Sequence, residues 1–377
     1  MRILVVNETL DLGGAETMAV ELANGLSALS NLELFFAAPK GILEERLASP
    51  IKHFSYSKYS FLKIFRIISE FKNILIKIKP DVIHSQGATV GVLVGIAARA
   101  IDKRIKLIMT HHSNEFVRVP KWLGAFLFNR YFDQFIAISR NKHQRMLSIG
   151  MPSSRVSLIP NFVNWEAIQK SIDGIKREDV LKDLGVNADA KVIITTGRLI
   201  SGKRLEIFIE ILSRCAKQTD KKIVGLIVGD GPERKKLERL AGFSGRSNLK
   251  MLFLGFQKDV FKYLLASDVF LFTSESEVLP MCLIEACALG LPVVCSDIPG
   301  NDEIVEHGET GFLVKSDIAE YCEKVQKILN DDVFAARLSE QSRKRAARLF
   351  EKKVVVDQIV EVYWKVLGED KRAPFGE

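Results

Sequence analysis

The sequence predicts an α/β protein of two doubly wound domains, and three observations predict it. Short apolar, β-branched runs recur along the chain, each followed by a stretch of helical period, the rhythm of a parallel sheet covered on both faces. The rhythm lapses after Asn161, in a polar, weakly patterned segment from Glu166 to Ala190, and restarts at Val192. A chain of 377 residues with 47% hydrophobic content is also long enough for two domains, each burying a full core.

In the first half, strands are expected at Arg2 to Asn7, Leu32 to Ala38, Val82 to Ser85, Lys106 to Thr110, Phe135 to Ser139 and Val156 to Ile159. Helices fall between them, for example Ala15 to Leu29 and Phe61 to Ile78. Glu166 to Ala190 reads as the linker. Strands then follow at Val192 to Thr196, Ile223 to Val228, Met251 to Leu254, Val269 to Thr273, Val293 to Ser296 and Phe312 to Val314. From Asp317 the chain is helical in period, and Lys352 to Leu367 is long enough to cross back to the first domain. The expected domains are residues 1–168, residues 169–350, and a crossover helix and tail over 351–377.

Composition narrows the class. The five cysteines are odd in number, lack Cys-x-x-Cys spacing and lie mostly in apolar runs, as reduced core residues do. The apolar run after Met1 is too short for a signal peptide, and no uninterrupted apolar stretch approaches the roughly 20 residues that span a bilayer. A cytoplasmic, non-spanning protein is expected. The net charge of +8 sits in the first half, where residues 1–170 carry 22 Lys+Arg against 13 Asp+Glu. That imbalance suits either a polyanionic or anionic-membrane partner, or an ordinary solvated basic surface. No aromatic-interleaved basic strand supports nucleic-acid binding.

Doubly wound sheets bind ligands outside the carboxyl ends of their strands, so the strand-end loops are where chemistry is sought. Leu12-Gly13-Gly14-Ala15-Glu16 follows the first strand and opens a helix. It is either a plain tight turn or a place where backbone N–H groups approach a phosphate or sugar. It is not Gly-x-Gly-x-x-Gly, so a dinucleotide site has little support. His111-His112 follows the strand ending at Thr110, with no neighbouring ligand set for zinc, and suits hydrogen bonding. Ser139-Arg140 is either a helix cap or a ligand contact.

In the second half, Gly197-Arg198-Leu199-Ile200-Ser201-Gly202-Lys203-Arg204 matches a P-loop until its last position, where Arg204 replaces the Ser/Thr that holds magnesium. What survives is a loop offering Arg198 and Lys203 as cations for a diphosphate without metal. Gly229-Asp230-Gly231-Pro232 and Leu254-Gly255-Phe256 end two further strands. The densest stretch is Ser274 to Val294. There Glu277 and Glu285 stand eight positions apart, and Glu285 interrupts an apolar helical run where an unpaired carboxylate is costly. Pro280 suits the first helical turn, which leaves the N–H groups of Met281 to Leu283 at the positive end of the dipole.

Taken in order, Gly13 to Glu16, His112, Ile159-Pro160-Asn161, Gly197-Arg198 with Lys203, Gly229 to Pro232, and Glu277-x7-Glu285 with Gly290-x-Pro292-Val293-Val294 resemble the GT-B retaining glycosyltransferases of family four (glycosyl transferases group 1). The resemblance covers nearly the whole chain. It implies two Rossmann-like domains facing a cleft, a nucleotide-sugar donor held mainly by the second, an acceptor held by the first, and no cofactor or required metal, in agreement with the absence of Asp-x-Asp. It also implies roles: Glu285 on the ribose hydroxyls, Arg198 and Lys203 on the diphosphate, Glu277 on the donor sugar, Gly14 on the phosphate side, and His112 against the sugar at the transition state. Leu279, Pro280 and Met281 would complete the donor contacts, although Val278-Leu279-Pro280 stands where the family commonly has Gly-Phe-Gly.

The implied activity is hexosyl transfer from a UDP- or GDP-sugar to an acceptor hydroxyl, on a lipid-linked or cell-surface glycan precursor. A sugar-nucleotide epimerase of the same fold and a non-catalytic nucleotide-binding module are the alternatives. The lysine-rich amphipathic segment Phe61 to Lys79, with Trp122, Phe126 and Phe128 as a second aromatic stretch, is either a sheet-covering helix with a basic stripe or the means of docking on the inner face of the cell membrane.

Overall fold

The computed structural model describes residues 1–11, 13–112, 121–242, 247–315 and 317–368, apart from the side chains of 121–123. The chain divides into two compact units, Met1–Phe162 with the chain from Lys352 onward, and Val163–Glu351.

The first unit is built on seven strands: β1 (Arg2–Val6), β2 (Glu33–Ala37), β3 (Lys52–Phe54), β4 (Val82–Ser85), β5 (Lys106–His111), β6 (Gln134–Ala137) and β7 (Val156–Leu158). They run parallel in the order β3-β2-β1-β4-β5-β6-β7. The second unit has six, β8 (Lys191–Thr196), β9 (Ile223–Val228), β10 (Leu249–Gly255), β11 (Val269–Phe272), β12 (Val293–Ser296) and β13 (Gly311–Val314), parallel in the order β10-β9-β8-β11-β12-β13. Each sheet reverses its winding once, at β1/β4 and at β8/β11. Those switch points are where a doubly wound sheet opens a ligand crevice at its carboxyl edge.

Burial on both faces explains why the strands read as continuous apolar runs. Every residue of β9 is buried, and Leu4, Ile83, Leu107 and Phe135 place β1, β4, β5 and β6 in one core cluster. The edge strand β3, with an exposed basic first residue and two half-buried positions, has no such signature and went unpredicted. The segment expected to be a linker carries two helices of the second unit, Trp165–Ile172 and Arg177–Asp183. Each buries very little, Ile168 in one and Val180 with Leu181 in the other, so their apolar period is faint.

The helix Lys352–Leu367 is built into the first unit. It packs so closely on the helix Gly14–Ser27 that a Cβ on Gly25 would lie 3.0 Å from atoms of Lys352 and Val356. Farther along it, the buried Tyr363 hydroxyl lies 2.7 Å from His84 Nδ1, and His84 Nε2 lies 2.7 Å from Thr110 Oγ1. Burial, and then the nearby His112, hold the His84 imidazole down at about 3, so it is neutral. Among the described residues no helix is long and apolar enough to cross a membrane.

Candidate active site

At the carboxyl edge of the second sheet, backbones touch. The chain leaves β8 through Gly197, whose N–H donates to the Val228 carbonyl at 2.9 Å. Leu199 N–H then donates to Asp230 O at 2.9 Å, Glu233 N–H returns to Leu199 O at 3.1 Å, and Gly229 N–H donates to Gly255 O at 2.8 Å. The loops after β8, β9 and β10 are thereby joined by main-chain hydrogen bonds. The contact requires glycine: a Cβ on Gly229, whose φ is +139°, would stand 1.9 Å from the Gly197 carbonyl oxygen, and one on Gly231 would stand 2.3 Å from that of Leu199. Gly229-Asp230-Gly231 is therefore a docking surface for the Arg198 loop.

Across the switch point, the loop after β11 binds the same segment from its other side. Ser201–Lys203 form a 3₁₀ turn closed by Arg204 in the left-handed region (φ 49°). Thr273 Oγ1 donates to Lys203 O at 3.0 Å, and Glu275 N–H donates to Gly202 O at 3.0 Å. These bonds bring together two residues 74 positions apart, Lys203 Nζ and Glu277 Oε1, which pair at 2.5 Å. Ser274 Oγ donates to the same carboxylate oxygen at 2.7 Å, and the ammonium sits 5.0 Å from the centroid of the Phe272 ring. Both side chains are largely covered, 20% exposed for Lys203 and 16% for Glu277. Burial opposes the Lys203 charge, but Cys282 and Glu277 outweigh it and raise the ammonium above its ordinary range. Burial pushes the Cys282 thiol up to about 12, so at neutral pH the charge that faces Lys203 is the Glu277 carboxylate.

Arg198 and Lys203 line one small pocket with Thr196 and Phe272. Arg198 is exposed and has no ion pair or side-chain hydrogen bond among the described residues. The site thus presents one cation held in a pair and one open to solvent.

The helix Met281–Ala288 starts one residue later than expected. Pro280 is its cap, and the Pro280 carbonyl accepts from Leu283 and Ile284 at 3.2 and 3.3 Å. Leu283 therefore spends its N–H inside the turn, and only Met281 and Cys282 present theirs beyond it. Glu285, half-buried one turn on, is flanked by buried Ile284 and Ala286. Leu279 and Pro280 are buried while Met281 is half-buried, so the Leu279 side chain is part of the packing rather than of the surface. The carbonyl of Val278 is pressed against Gly300, where a Cβ would lie 2.3 Å away.

In the first unit, Gly14 is exposed as the first residue of its helix; Leu12 lies outside the described residues. The Glu16 carboxylate folds over Gly13, where a Cβ would come 2.2 Å from Oε2. Burial raises the Glu16 carboxyl, and Asp11 and Glu8 raise it further. Three carboxylates thus surround this helix start, a field that suits hydroxyls and opposes a bare phosphate.

His112, just past β5, is half-buried with Nε2 2.8 Å from Gln86 Oε1. Burial, then the charge of Lys142, lowers its imidazole to about 4. Lys142 is itself only 1% exposed, and burial followed by Arg145 pushes it down to about 7. Ser139 caps the helix Arg140–Ser148 by accepting from Lys142 N–H at 3.2 Å, which settles the cap role for that serine. Gln86 and Lys142 were not anticipated. Gln86 directly follows β4, so the strand-end rule that singled out His112 applies to it equally; the burial of Lys142 has no sequence signal.

Residues 12–166 match the family model Glycosyltransferase Family 4 and residues 176–345 match Glycosyl transferases group 1. The chain is 28% identical over 316 residues (81% of this chain, 80% of the relative) to an Escherichia coli UDP-Gal:alpha-D-GlcNAc-diphosphoundecaprenol alpha-1,3-galactosyltransferase. It is 26% identical over 285 residues (73% of this chain, 72% of the relative) to the Bacillus anthracis N-acetyl-alpha-D-glucosaminyl L-malate synthase. Among solved structures, Anabaena HepE in complex with UDP and glucose superimposes with a TM-score of 0.81 at 22% identity, over 97% of this chain and 100% of that one.

Proposed function

We propose, for a chain that belongs to the GT-B glycosyltransferases, the retaining transfer of a sugar from a UDP-sugar to a hydroxyl of a lipid-linked glycan precursor. That the chain is a glycosyltransferase follows from the two family models, which between them take in residues 12–166 and 176–345. The donor reading is supported by the UDP bound to HepE and by the UDP-galactose named for the Escherichia coli relative, whose named acceptor is a diphosphoundecaprenol-linked sugar.

The observation that carries the mechanism is the Lys203–Glu277 pair beside solvent-facing Arg198 at the carboxyl ends of β8 and β11. As the bond between the sugar and the diphosphate breaks, negative charge gathers on the leaving phosphates. Arg198 and Lys203 are cations set in place before the reaction, so they stabilise that charge without reorganising, and no metal is required for the purpose. Glu285 accepts the ribose hydroxyls, and Glu277 accepts a hydroxyl of the donor sugar. Met281 N–H, with the backbone of Leu279 and Pro280 on either side of the helix start, approaches the donor. Gly14 offers its N–H on the phosphate side; the carboxylates around it leave the charge itself to Arg198 and Lys203. His112, neutral at physiological pH, hydrogen-bonds the sugar.

The acceptor reading draws on the first unit's surface. Phe61, Leu62 and Phe65, 79%, 93% and 88% exposed, stand on a 3₁₀ turn (Phe61–Lys63) and the start of the helix Ile64–Ile78, with Lys63 and Arg66 exposed among them and Lys72 and Lys77 exposed farther along the same helix. Three large apolar side chains in water amid cations suit insertion into an anionic membrane face, each gaining roughly 1.5–3 kcal/mol on burial. Phe126 is exposed too, but Phe128 belongs to the core, and the Trp122 side chain lies outside the described residues.

The test combines thermal stabilisation by UDP- and GDP-sugars with transfer to an undecaprenyl-diphosphate glycan. Stabilisation by a UDP-sugar and acceptor-dependent product are expected; donor consumed without acceptor overturns the transferase reading. Sedimentation with phosphatidylglycerol vesicles, set against phosphatidylcholine vesicles and the triple substitution of Phe61, Leu62 and Phe65 to Ser, tests docking. Equal pelleting of all samples overturns it.

A further inference from the structure

We infer that Gln86 is a positioning residue for His112, fixing which ring nitrogen carries the proton and turning the other toward the reacting sugar. The inference rests on the proposed role of His112 against the donor sugar.

The geometry is a short relay at adjacent strand ends. Gln86 follows β4 directly, His112 follows β5, and the two strands are paired in parallel through Ser85 and Met109. Gln86 Oε1 accepts from His112 Nε2 at 2.8 Å. A neutral imidazole carries one proton, so a donor at Nε2 leaves Nδ1 with its lone pair, an acceptor for a hydroxyl. The ring is kept neutral by its surroundings. Burial does most of this, and the charge of Lys142 on the helix Arg140–Ser148 adds to it; Lys142 is itself influenced by Arg145, His84 in β4 is neutral, and His111 is the last residue of β5.

Gln86 also makes little sense as a stabilising residue. It is 5% exposed, yet its Nε2 has no hydrogen-bond partner among the described residues. A buried amide hydrogen left unpaired costs stability, and such groups persist where something other than stability retains them. Below this relay, Tyr363 and Thr110 hold His84 from both ring nitrogens, so β4 and β5 are tied together two residues before Gln86 and His112. The relay therefore stands on a rigid base.

The test is a ¹⁵N–¹H spectrum of the full-length protein labelled on its six histidines, with kinetics on Gln86→Leu and Gln86→Glu. In the native protein His112 is expected as the Nε2–H form, without titration above pH 5. Gln86→Leu is expected to lose that single form and to lower kcat by roughly ten- to hundredfold, the rate equivalent of one buried hydrogen bond left unmade. Its donor KM stays within about twofold, because the donor contacts named above lie chiefly in the second unit, and its melting temperature does not fall. Gln86→Glu keeps an acceptor opposite Nε2 but adds a negative charge that raises the His112 imidazole. Its spectrum regains the Nε2–H form at high pH, and its turnover drops selectively toward pH 6. Gln86→Leu with an unchanged His112 spectrum and kcat overturns the inference, as does a Gln86→Glu protein whose pH profile matches the native one. A changed spectrum with undiminished kcat upholds Gln86 as what positions the ring and refutes instead the role proposed for His112.

Discussion

Consider replacing Lys203 by Met and Glu277 by Gln, singly and together. Two unit charges 2.5 Å apart attract by about 4–7 kcal/mol at an effective dielectric constant of about 20, most of it offset by the cost of covering both groups. The single variants strand one charge in a site that is four-fifths covered, so each loses about 2–3 kcal/mol, somewhat below the 3–5 kcal/mol typical of fully buried pairs. The double variant strands nothing, and the cycle returns a coupling of about 1–3 kcal/mol. Turnover follows a different course. Removing Lys203 takes away a cation preorganised for the leaving diphosphate, so kcat falls by roughly 10² or more whether or not Glu277 is also changed. Urea unfolding followed by circular dichroism gives the first quantity and single-turnover transfer the second. If the double variant regains turnover along with stability, the pair is structural and the mechanism proposed for it is wrong.

Arg198→Ala, which removes an exposed side chain with no ion pair among the described residues, should leave stability within about 0.5 kcal/mol and lower kcat by roughly 10²; near-normal turnover refutes its role. Gly229→Ala would drive a Cβ to 1.9 Å from the Gly197 carbonyl, so the Arg198 loop must part from its partner loop. Thermal stabilisation by the UDP-sugar should vanish in that variant, and retained stabilisation would show that the loops act independently. The His84 imidazole, at about 3 when folded against an ordinary 6.5, binds its proton more readily in the unfolded chain. Its contribution is complete above pH 6.5 and is lost as the pH falls toward 3, at about 1.4 kcal/mol per pH unit. His84→Gln should flatten the urea midpoint of the first unit over that range, and an unchanged slope excludes His84 as the cause.

What could be read from the sequence follows physical range. Strands buried on both faces announce themselves locally, and β4, β9 and β12 fall on the residues expected. Loops at strand ends are equally legible, because an α/β sheet must put its glycines and polar residues there: Gly197, Gly229 and Glu277 all lie where they were sought. Partnership is not local. Nothing in the sequence pairs Lys203 with Glu277, since the bonds that bring them together run through the backbone of Gly202, Lys203 and Glu275. The same holds for Gln86 and His112, which meet only because β4 and β5 are neighbours in the sheet. Short elements with one-sided burial were hidden for the opposite reason. The helix Arg177–Asp183 buries two apolar side chains, too few to impose a period on a polar stretch, and the edge strand β3 has three residues and none fully buried.

In the proposed reaction the Lys203–Glu277 pair solves an energetic problem that neither residue solves alone. A lysine covered to this degree, waiting without a counter-ion, would tend to lose its proton or to open its site to water. Glu277 supplies the charge that keeps the ammonium formed, and Ser274 holds the shared carboxylate oxygen in place. When the donor arrives, its diphosphate offers Lys203 an equivalent anion, and Glu277 is released toward a sugar hydroxyl. Binding is then an exchange of partners by two protein groups already largely out of water, which spares the protein's share of the desolvation that assembling the same contacts from solvent would cost. Arg198 complements this from the outside. Exposed and free of an ion pair among the described residues, it meets the phosphates before the exchange begins, so a cation that attracts the donor and a cation stored for the transition state occupy one loop, five positions apart and joined to the end of β9 by the Gly197 N–H on the Val228 carbonyl.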